Sequence, residues 1–298
     1  MIINLKEVTM EIQTKRVLVA GATGYLGAFV AKEFKKRGYF VRALVRDPMK
    51  LMSAADDYDE IIKGDVTQSE TLRTVCDDID LVFSSVGITK QKSGQTWKDV
   101  DYLGNTNLLD EAINAGVRKF IYVSVFNGAF LKKLEIVKAH EDFVDELESS
   151  GIDYTIIRPN GFFSDMSEIL KMAQKGSVYL FGDGESRVNP IHGADLAVIC
   201  ADAAANGIRE INVGGPEVLT FRQIGHIAED VLGQEVKIVT VPMWLANFAI
   251  AITRVFNRHA GELLAFFSYA STHDAIAPSA GSHTLKNYFS ECLEQERR

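Results

Sequence analysis

Short apolar runs alternate along this chain with longer stretches in which apolar side chains return every three or four positions. The first pattern suits strands buried in a sheet, and the second suits amphipathic helices. Strands are expected at residues 16–20, 40–45, 60–66, 80–87, 119–124, 154–158 and 210–213. Helices are expected between them. Leu26, Phe29, Val30 and Phe34 share one helical face before Gly38 supplies a stop. Further helices are expected over 100–116 and 134–150, the second closed by Gly151. Thr67-x-x-Glu70 and Thr220-x-x-Gln223 read as capping boxes, the latter opening a helix whose inner face carries Ile224, Ile227, Val231 and Leu232. Such alternation implies an α/β fold with a parallel, doubly wound sheet. Beyond Pro159 it loosens, which points to a smaller, mainly helical C-terminal lobe over the strand ends. The expected division is a core of 15–158, to which 189–213 returns, and a substrate lobe of 159–188 and 214–298.

At the end of the first expected strand the sequence reads Val17-Leu18-Val19-Ala20-Gly21-Ala22-Thr23-Gly24-Tyr25-Leu26-Gly27. Each glycine answers a separate demand of a dinucleotide cradle. Gly21 permits the tight turn, Gly24 lets backbone approach a pyrophosphate, and Gly27 lets the helix pack close to the sheet. The phosphates would meet free N–H groups at the positive end of that helix. A glycine spacing alone is weak evidence, but strand, turn, helix and second strand within about thirty residues make a Rossmann-type βαβ unit.

An apolar fraction of 47% is ample for a core, and a net charge of −8 excludes a generally basic, nucleic-acid-binding surface. Cys76, Cys200 and Cys292 are too scattered for a disulfide framework or a metal cluster, so a cytoplasmic setting and no metal are expected. Residues 1–14 lack the apolar core of a secretory signal. No apolar run reaches the ~20 residues needed to span a bilayer. Residues 242–269 are nevertheless unusually apolar, with Trp244, Leu245, Phe248, Ile252, Val255 and Phe256 on one helical face. Such a face is expected to form the core of the small lobe; the alternatives are the entrance for a large apolar substrate or peripheral membrane contact beside Arg254 and Arg258. Oligomeric state is left open.

About twenty residues past the glycines, the group that reads the adenosine ribose is expected, and the chain offers Arg46. A guanidinium suits a 2′-phosphate and so NADPH, while Asp47 leaves NADH open. Ser124 ends the fifth strand, where it could hydrogen-bond substrate or nicotinamide or serve only the turn.

Taken with Arg46-Asp47-Pro48, Gly64-Asp65-Val66, Asp101-Tyr102-x-Gly104-Asn105, Tyr122-Val123-Ser124 and Ile157-Arg158-Pro159-Asn160-Gly161-Phe162-Phe163, the glycine run resembles the short-chain dehydrogenase/reductase superfamily. The likeness is to its atypical, NmrA-like and isoflavone-reductase-like branch, over about residues 15–235. Leu180-Phe181-Gly182-Asp183-Gly184 and Gly214-Gly215-Pro216 also look like the divinyl chlorophyllide 8-vinyl reductases of that branch. The resemblance implies cofactor contacts from Gly21, Thr23, Gly24, Tyr25, Leu26, Gly27, Arg46, Asp65, Val66, Val86, Gly87, Lys138, Pro159 and Phe162. It implies substrate contacts from Phe162, Phe163 and His192, with Asp195 either beside the pocket or capping its helix.

The superfamily's usual acid–base pair is Tyr-x-x-x-Lys. Here Lys138 is present, but Leu134 stands four positions earlier, so the tyrosine is missing. The resemblance makes Lys138 the candidate catalytic group, with Ser124 beside it, against the alternative of a surface lysine paired with Glu141 or Glu135. His140, about 200° around the helix from Lys138, is expected at the surface. The implied activity is hydride transfer from NADPH to a C=C or C=O bond of a hydrophobic, aromatic or quinone-like small molecule. The alternative is an NADP(H)-binding regulator or assembly factor without turnover.

Overall fold

The structure, a computed structural model, describes residues 14–88 and 94–297. The expectation that no secretory signal precedes the fold falls on residues 1–13, outside the described residues, save for Thr14. The first half runs β1 (Arg16–Ala20), α1 (Tyr25–Lys36), β2 (Phe40–Val45), β3 (Glu60–Lys63), β4 (Leu81–Ser84), α2 (Asn105–Asn114), β5 (Lys119–Val123), α3 (Glu135–Ser149) and β6 (Asp153–Pro159). It continues through α4 (Phe163–Gln174), β7 (Ser177–Phe181), β8 (Arg187–Val188), α5 (Gly193–Ala203), β9 (Glu210–Val213), β10 (Leu219–Thr220), α6 (Phe221–Leu232) and β11 (Lys237–Val241). Three helices follow: α7 (Met243–Phe256), α8 (Arg258–Ala270) and α9 (Leu285–Glu296).

Seven strands form one parallel sheet in the order β3-β2-β1-β4-β5-β6-β9. This is the doubly wound Rossmann-type fold that the alternation implied. The order reverses between β1 and β4, and a crevice opens at their carboxyl ends because their outgoing chains diverge to opposite faces. Register keeps the crevice level: Ala20 lies beside both Leu44 and Ser84.

Both faces of the sheet are covered. Val30 and Phe34 of α1, with Leu196 and Cys200 of α5, bury against Val17, Val19 and Val41. On the other face Leu108 and Leu109 of α2, and Phe143, Val144 and Leu147 of α3, bury against Leu18, Val82 and Phe120. Full burial of one such side chain contributes about 1.5–3 kcal/mol. A third core lies beyond Pro159, where Phe163, Ile169 and Leu170 of α4 meet Ile224 and Ala228 of α6 and Leu285 and Phe289 of α9. The Thr220–Gln223 capping box forms with both reciprocal hydrogen bonds, at 3.1 and 2.8 Å.

Three local expectations fail for identifiable reasons. Thr67 does not cap a helix, because the Asp65 carboxylate accepts both its N–H and its hydroxyl, and only a short turn at Ser69–Thr71 follows. The helix expected from residue 100 begins as a widened π turn, Lys98–Gly104, before narrowing into α2. Most consequentially, the apolar face in 242–269 is not the core of the small lobe. Ala246 and Ile250 face inward, whereas Trp244, Leu245, Phe248, Ile252, Val255 and Phe256 are exposed.

Candidate functional site

The crevice at the ends of β1 and β4 is lined by Gly21, Thr23, Gly24, Arg46, Asp65, Val66, Val86 and Gly87, all of them singled out from sequence. Thr67, Ser85, Ile88, Gln95 and Val100 complete much of the wall. Gly21 has φ +87°, and a Cβ there would lie 2.8 Å from Ser85 Oγ. A Cβ on Gly27 would stand 2.2 Å from the Gly21 carbonyl oxygen, so only glycine lets α1 approach the turn this closely. Gly24 is the N-cap of α1 and supplies no side-chain acceptor, leaving the first-turn N–H groups available for an anion. A cradle stripped of Cβ atoms in front of a helix N-terminus fits a dinucleotide pyrophosphate. Arg46, exposed at the crevice mouth, has no hydrogen bond or ion pair among the described residues and is free to meet a ribose phosphate.

Other candidates lie elsewhere. Leu26 is buried in the core, and Tyr25 turns its ring toward Phe29, Phe162, His192 and Tyr288 while its hydroxyl accepts from Gly193 N–H at 3.0 Å. Pro159 ends β6 in a buried position, and Phe163 belongs to the third core rather than to the crevice lining. His192 caps α5, its Nδ1 accepting from Ala194 N–H, so of the two roles open to Asp195 the capping one is taken by His192. The Asp195 carboxylate instead accepts from the backbone N–H groups of Ser282 and His283. Ser124 is locked in a buried cluster, donating to Glu141 Oε1 at 2.8 Å and accepting from Arg158 Nη1 at 3.3 Å. Arg158 also bridges Glu141 directly, Nη1 to Oε1 at 2.5 Å.

Lys138 is not among the crevice-lining residues. Its ammonium pairs with Asp142 one helical turn on, in a separate groove between α3 and α8. His140 occupies the opposite, inward face. Its Nδ1 lies 2.6 Å from the hydroxyl of fully buried Tyr122, and its Nε2 lies 3.4 Å from Asp101 Oδ1. The expectation of a surface histidine is therefore overturned: α3 presents its apolar stripe to the sheet, and His140 sits within that stripe. A Cβ on Gly87 would fall 3.0 Å from Asp101 Oδ1 and 3.5 Å from His140 Cε1, so this polar chain abuts the crevice wall where the wall has no side chain. Asp101 Oδ2 accepts from Ile88 N–H at 3.1 Å, while Oδ1 is buried without a hydrogen-bond partner. Burial raises the Asp101 carboxyl well above its ordinary value, opposed only by backbone hydrogen bonds. Burial likewise drives His140 down to about 4, the Arg158 charge adding to the fall and Glu141 opposing it. At neutral pH the imidazole is therefore uncharged, and it stands beside a carboxyl whose neutral form burial favours. Sequence reasoning passed over Tyr122 and Asp101 as catalytic candidates, although both lie in motifs already noted.

Comparison with known proteins bears on the family and the fold. The chain is 31% identical to the divinyl chlorophyllide a 8-vinyl-reductase of Cucumis sativus, with 94% of this chain and 76% of that protein covered. It is 26% identical to the photosystem II assembly factor Ycf39 of Synechocystis, covering 88% of this chain and 82% of the other. Among solved structures, the NADPH-dependent quinone oxidoreductase QOR2 of Escherichia coli, complexed with NADPH, superposes with a TM-score of 0.70 at 19% identity. That superposition covers 93% of this chain and 99% of the other, and shows a common fold. Residues 21–207, which contain the glycine turn and the crevice-lining strands that follow β1, match the NAD(P)H-binding family, and the chain belongs to it.

Proposed function

We propose that the protein is an NADPH-dependent reductase acting on a C=C or C=O bond of a hydrophobic, aromatic or quinone-like small molecule. The observation that carries the reading is the crevice itself: a cradle that no Cβ can enter, with the unpartnered Arg46 at its mouth. Gly21, Gly24 and the α1 N-terminus would hold the pyrophosphate, and Arg46 the 2′-phosphate that distinguishes NADPH from NADH. When bound, the dinucleotide would supply the hydride. Proton holding falls to Asp101, His140 and Tyr122, the buried chain that abuts Gly87, in place of the missing tyrosine at Leu134. Lys138 and Ser124 are less suited to it, since their polar atoms already engage Asp142, Glu141 and Arg158. The likeness to divinyl chlorophyllide and quinone reductases supports a flat, apolar acceptor.

A second reading, an NADP(H)-responsive assembly factor without turnover, is favoured by Leu134 in place of the tyrosine and by the likeness to Ycf39. NADPH oxidation with quinones, enones and vinyl tetrapyrroles separates the two. The reductase reading expects turnover with at least one class, and His140→Gln lowering it on the order of 10²-fold while NADPH affinity stays within about threefold. Tight NADPH binding without oxidation by any acceptor would overturn it in favour of the second reading. Arg46→Ala should weaken NADPH at least about tenfold more than NADH, the scale of one charge-assisted phosphate contact.

A further inference from the structure

The α7–α8 hairpin exposes a surface that the crevice does not use. Leu263 and Phe266 of α8 pack on Trp97, Ile136 and Ala139, and His259 stacks on Trp97 with ring centroids 4.0 Å apart. That side of the hairpin is anchored. The outer side belongs to α7, where Trp244 (72% exposed), Phe248 (61%), Val255 (81%) and Phe256 (86%) fall along one face. Fourteen residues give that face a length of about 21 Å. This is too short to cross a bilayer, and no described helix is long and apolar enough to do so.

Charge limits what could cover such a face. The chain carries 40 acidic residues, yet none stands between Glu235 and Glu262. Glu262 is buried and turned into Arg254, Nε to Oε1 2.9 Å, so the hairpin's outer surface shows no carboxylate. Arg258, at the turn between the helices, is exposed and reaches Glu135 of α3. An exposed pair of that kind is weak and exchanges readily for another anion. A two-fold contact between copies would set this same patch against itself, and the patch offers Arg258 no carboxylate. A sheet of anionic headgroups over acyl chains complements both the apolar face and its basic end.

We propose that α7 is an in-plane docking surface for an anionic lipid bilayer, with Trp244, Phe248, Val255 and Phe256 entering the acyl boundary and Arg258 meeting headgroups. The proposal goes beyond the reductase reading and stands or falls without it. The intact chain should co-sediment with phosphatidylcholine vesicles containing phosphatidylglycerol, and less with phosphatidylcholine alone. Trp97 is buried, so the emission of Trp244 should shift to the blue on binding. The double variant Phe248→Ser/Phe256→Ser should lose at least about tenfold in partition, since two phenyl rings no longer leave water on binding. Arg258→Gln should lose about fivefold, the worth of one base near an anionic surface. Both changes are at exposed positions, and retained thermal melting and NADPH binding would report an intact fold. Wild type remaining in the supernatant with both vesicle types, or the double variant binding like wild type, would overturn the proposal. A wild-type dimer that becomes monomeric in the double variant would reassign the face to a second copy of the chain.

Discussion

His140, through its burial, makes the stability of the fold depend on pH. Its pKa lies at about 4 in the fold against an ordinary 6.5, so the unfolded chain takes up a proton first as the pH falls. Folding stability therefore declines between pH 6.5 and 4 and is unaffected by this group above 6.5. Urea titrations at pH 7 and 4.5 should show wild type losing about 2–3 kcal/mol more than His140→Gln. Equal losses would mean that the imidazole is not desolvated as the structure has it. Gly27→Ala probes the other end of the site. Its methyl group would sit 2.2 Å from a carbonyl oxygen, so α1 must shift, and NADPH affinity should fall at least about tenfold with a lower melting temperature. The glycines were legible because each meets a requirement imposed by its immediate neighbours. His140 was legible too, had α3 been read as a whole: Ile136, His140, Phe143 and Leu147 fall on one stripe, and Lys138, Asp142, Asp145 and Ser149 on the other. The resemblance pointed to a lysine and drew the reading two positions away. Geometry had already required that only one of the two could face the sheet.

At the scale of elements, caps and buried pairs decide what forms. Thr67-x-x-Glu70 and Thr220-x-x-Gln223 look alike in sequence, but Asp65 engages the Thr67 hydroxyl, whereas among the described residues no acceptor competes for that of Thr220. A motif of four residues does not reveal a carboxylate two positions upstream that prefers the same group. Thr220→Ala should cost about 1 kcal/mol in a denaturant titration, and Thr67→Ala should leave helix content unchanged by circular dichroism. The Glu141–Arg158 pair joins α3 to β6 with both side chains nearly fully buried, and Gly128 makes room for it: a Cβ there would lie 2.3 Å from Glu141 Oε1. Removing Glu141 leaves the buried Arg158 guanidinium with the half-exposed Glu210 carboxylate, 3.0 Å from its Nε, as partial compensation. Glu141→Ala should cost about 3–5 kcal/mol, whereas the double variant Glu141→Met/Arg158→Leu should recover much of the loss. A single variant as stable as wild type would show that the pair contributes little to joining the two elements.

Across the whole molecule, the question is how the C-terminal segment is held against the sheet that carries the crevice. Hydrophobic periodicity gave little sign of it, because much of the attachment is made by isolated polar side chains whose partners lie 68 to 88 residues away. Asn189, fully buried, is its centre: Oδ1 accepts from Asn160 Nδ2 at 2.6 Å and from Ala277 N–H at 3.0 Å, and Nδ2 donates to the Ala277 carbonyl at 2.8 Å. Gly214 must be glycine beside it, since a Cβ would come within 2.2 Å of that amide. Asp195, through Ser282 and His283, and Glu217, through Leu285 N–H, extend the attachment to the start of α9. Asn189→Leu fills the space but leaves the N–H and carbonyl of Ala277 buried without partners, which should cost about 2–4 kcal/mol. The loss should be local before it is global, because the first core and the crevice do not depend on this amide. Hydrogen exchange should therefore quicken in residues 275–296 at denaturant concentrations where β1, β4 and α1 remain protected and NADPH still binds. Uniformly faster exchange across both regions would instead mean that the sheet and the C-terminal segment unfold as one unit, and that Asn189 stabilises the whole fold rather than one attachment.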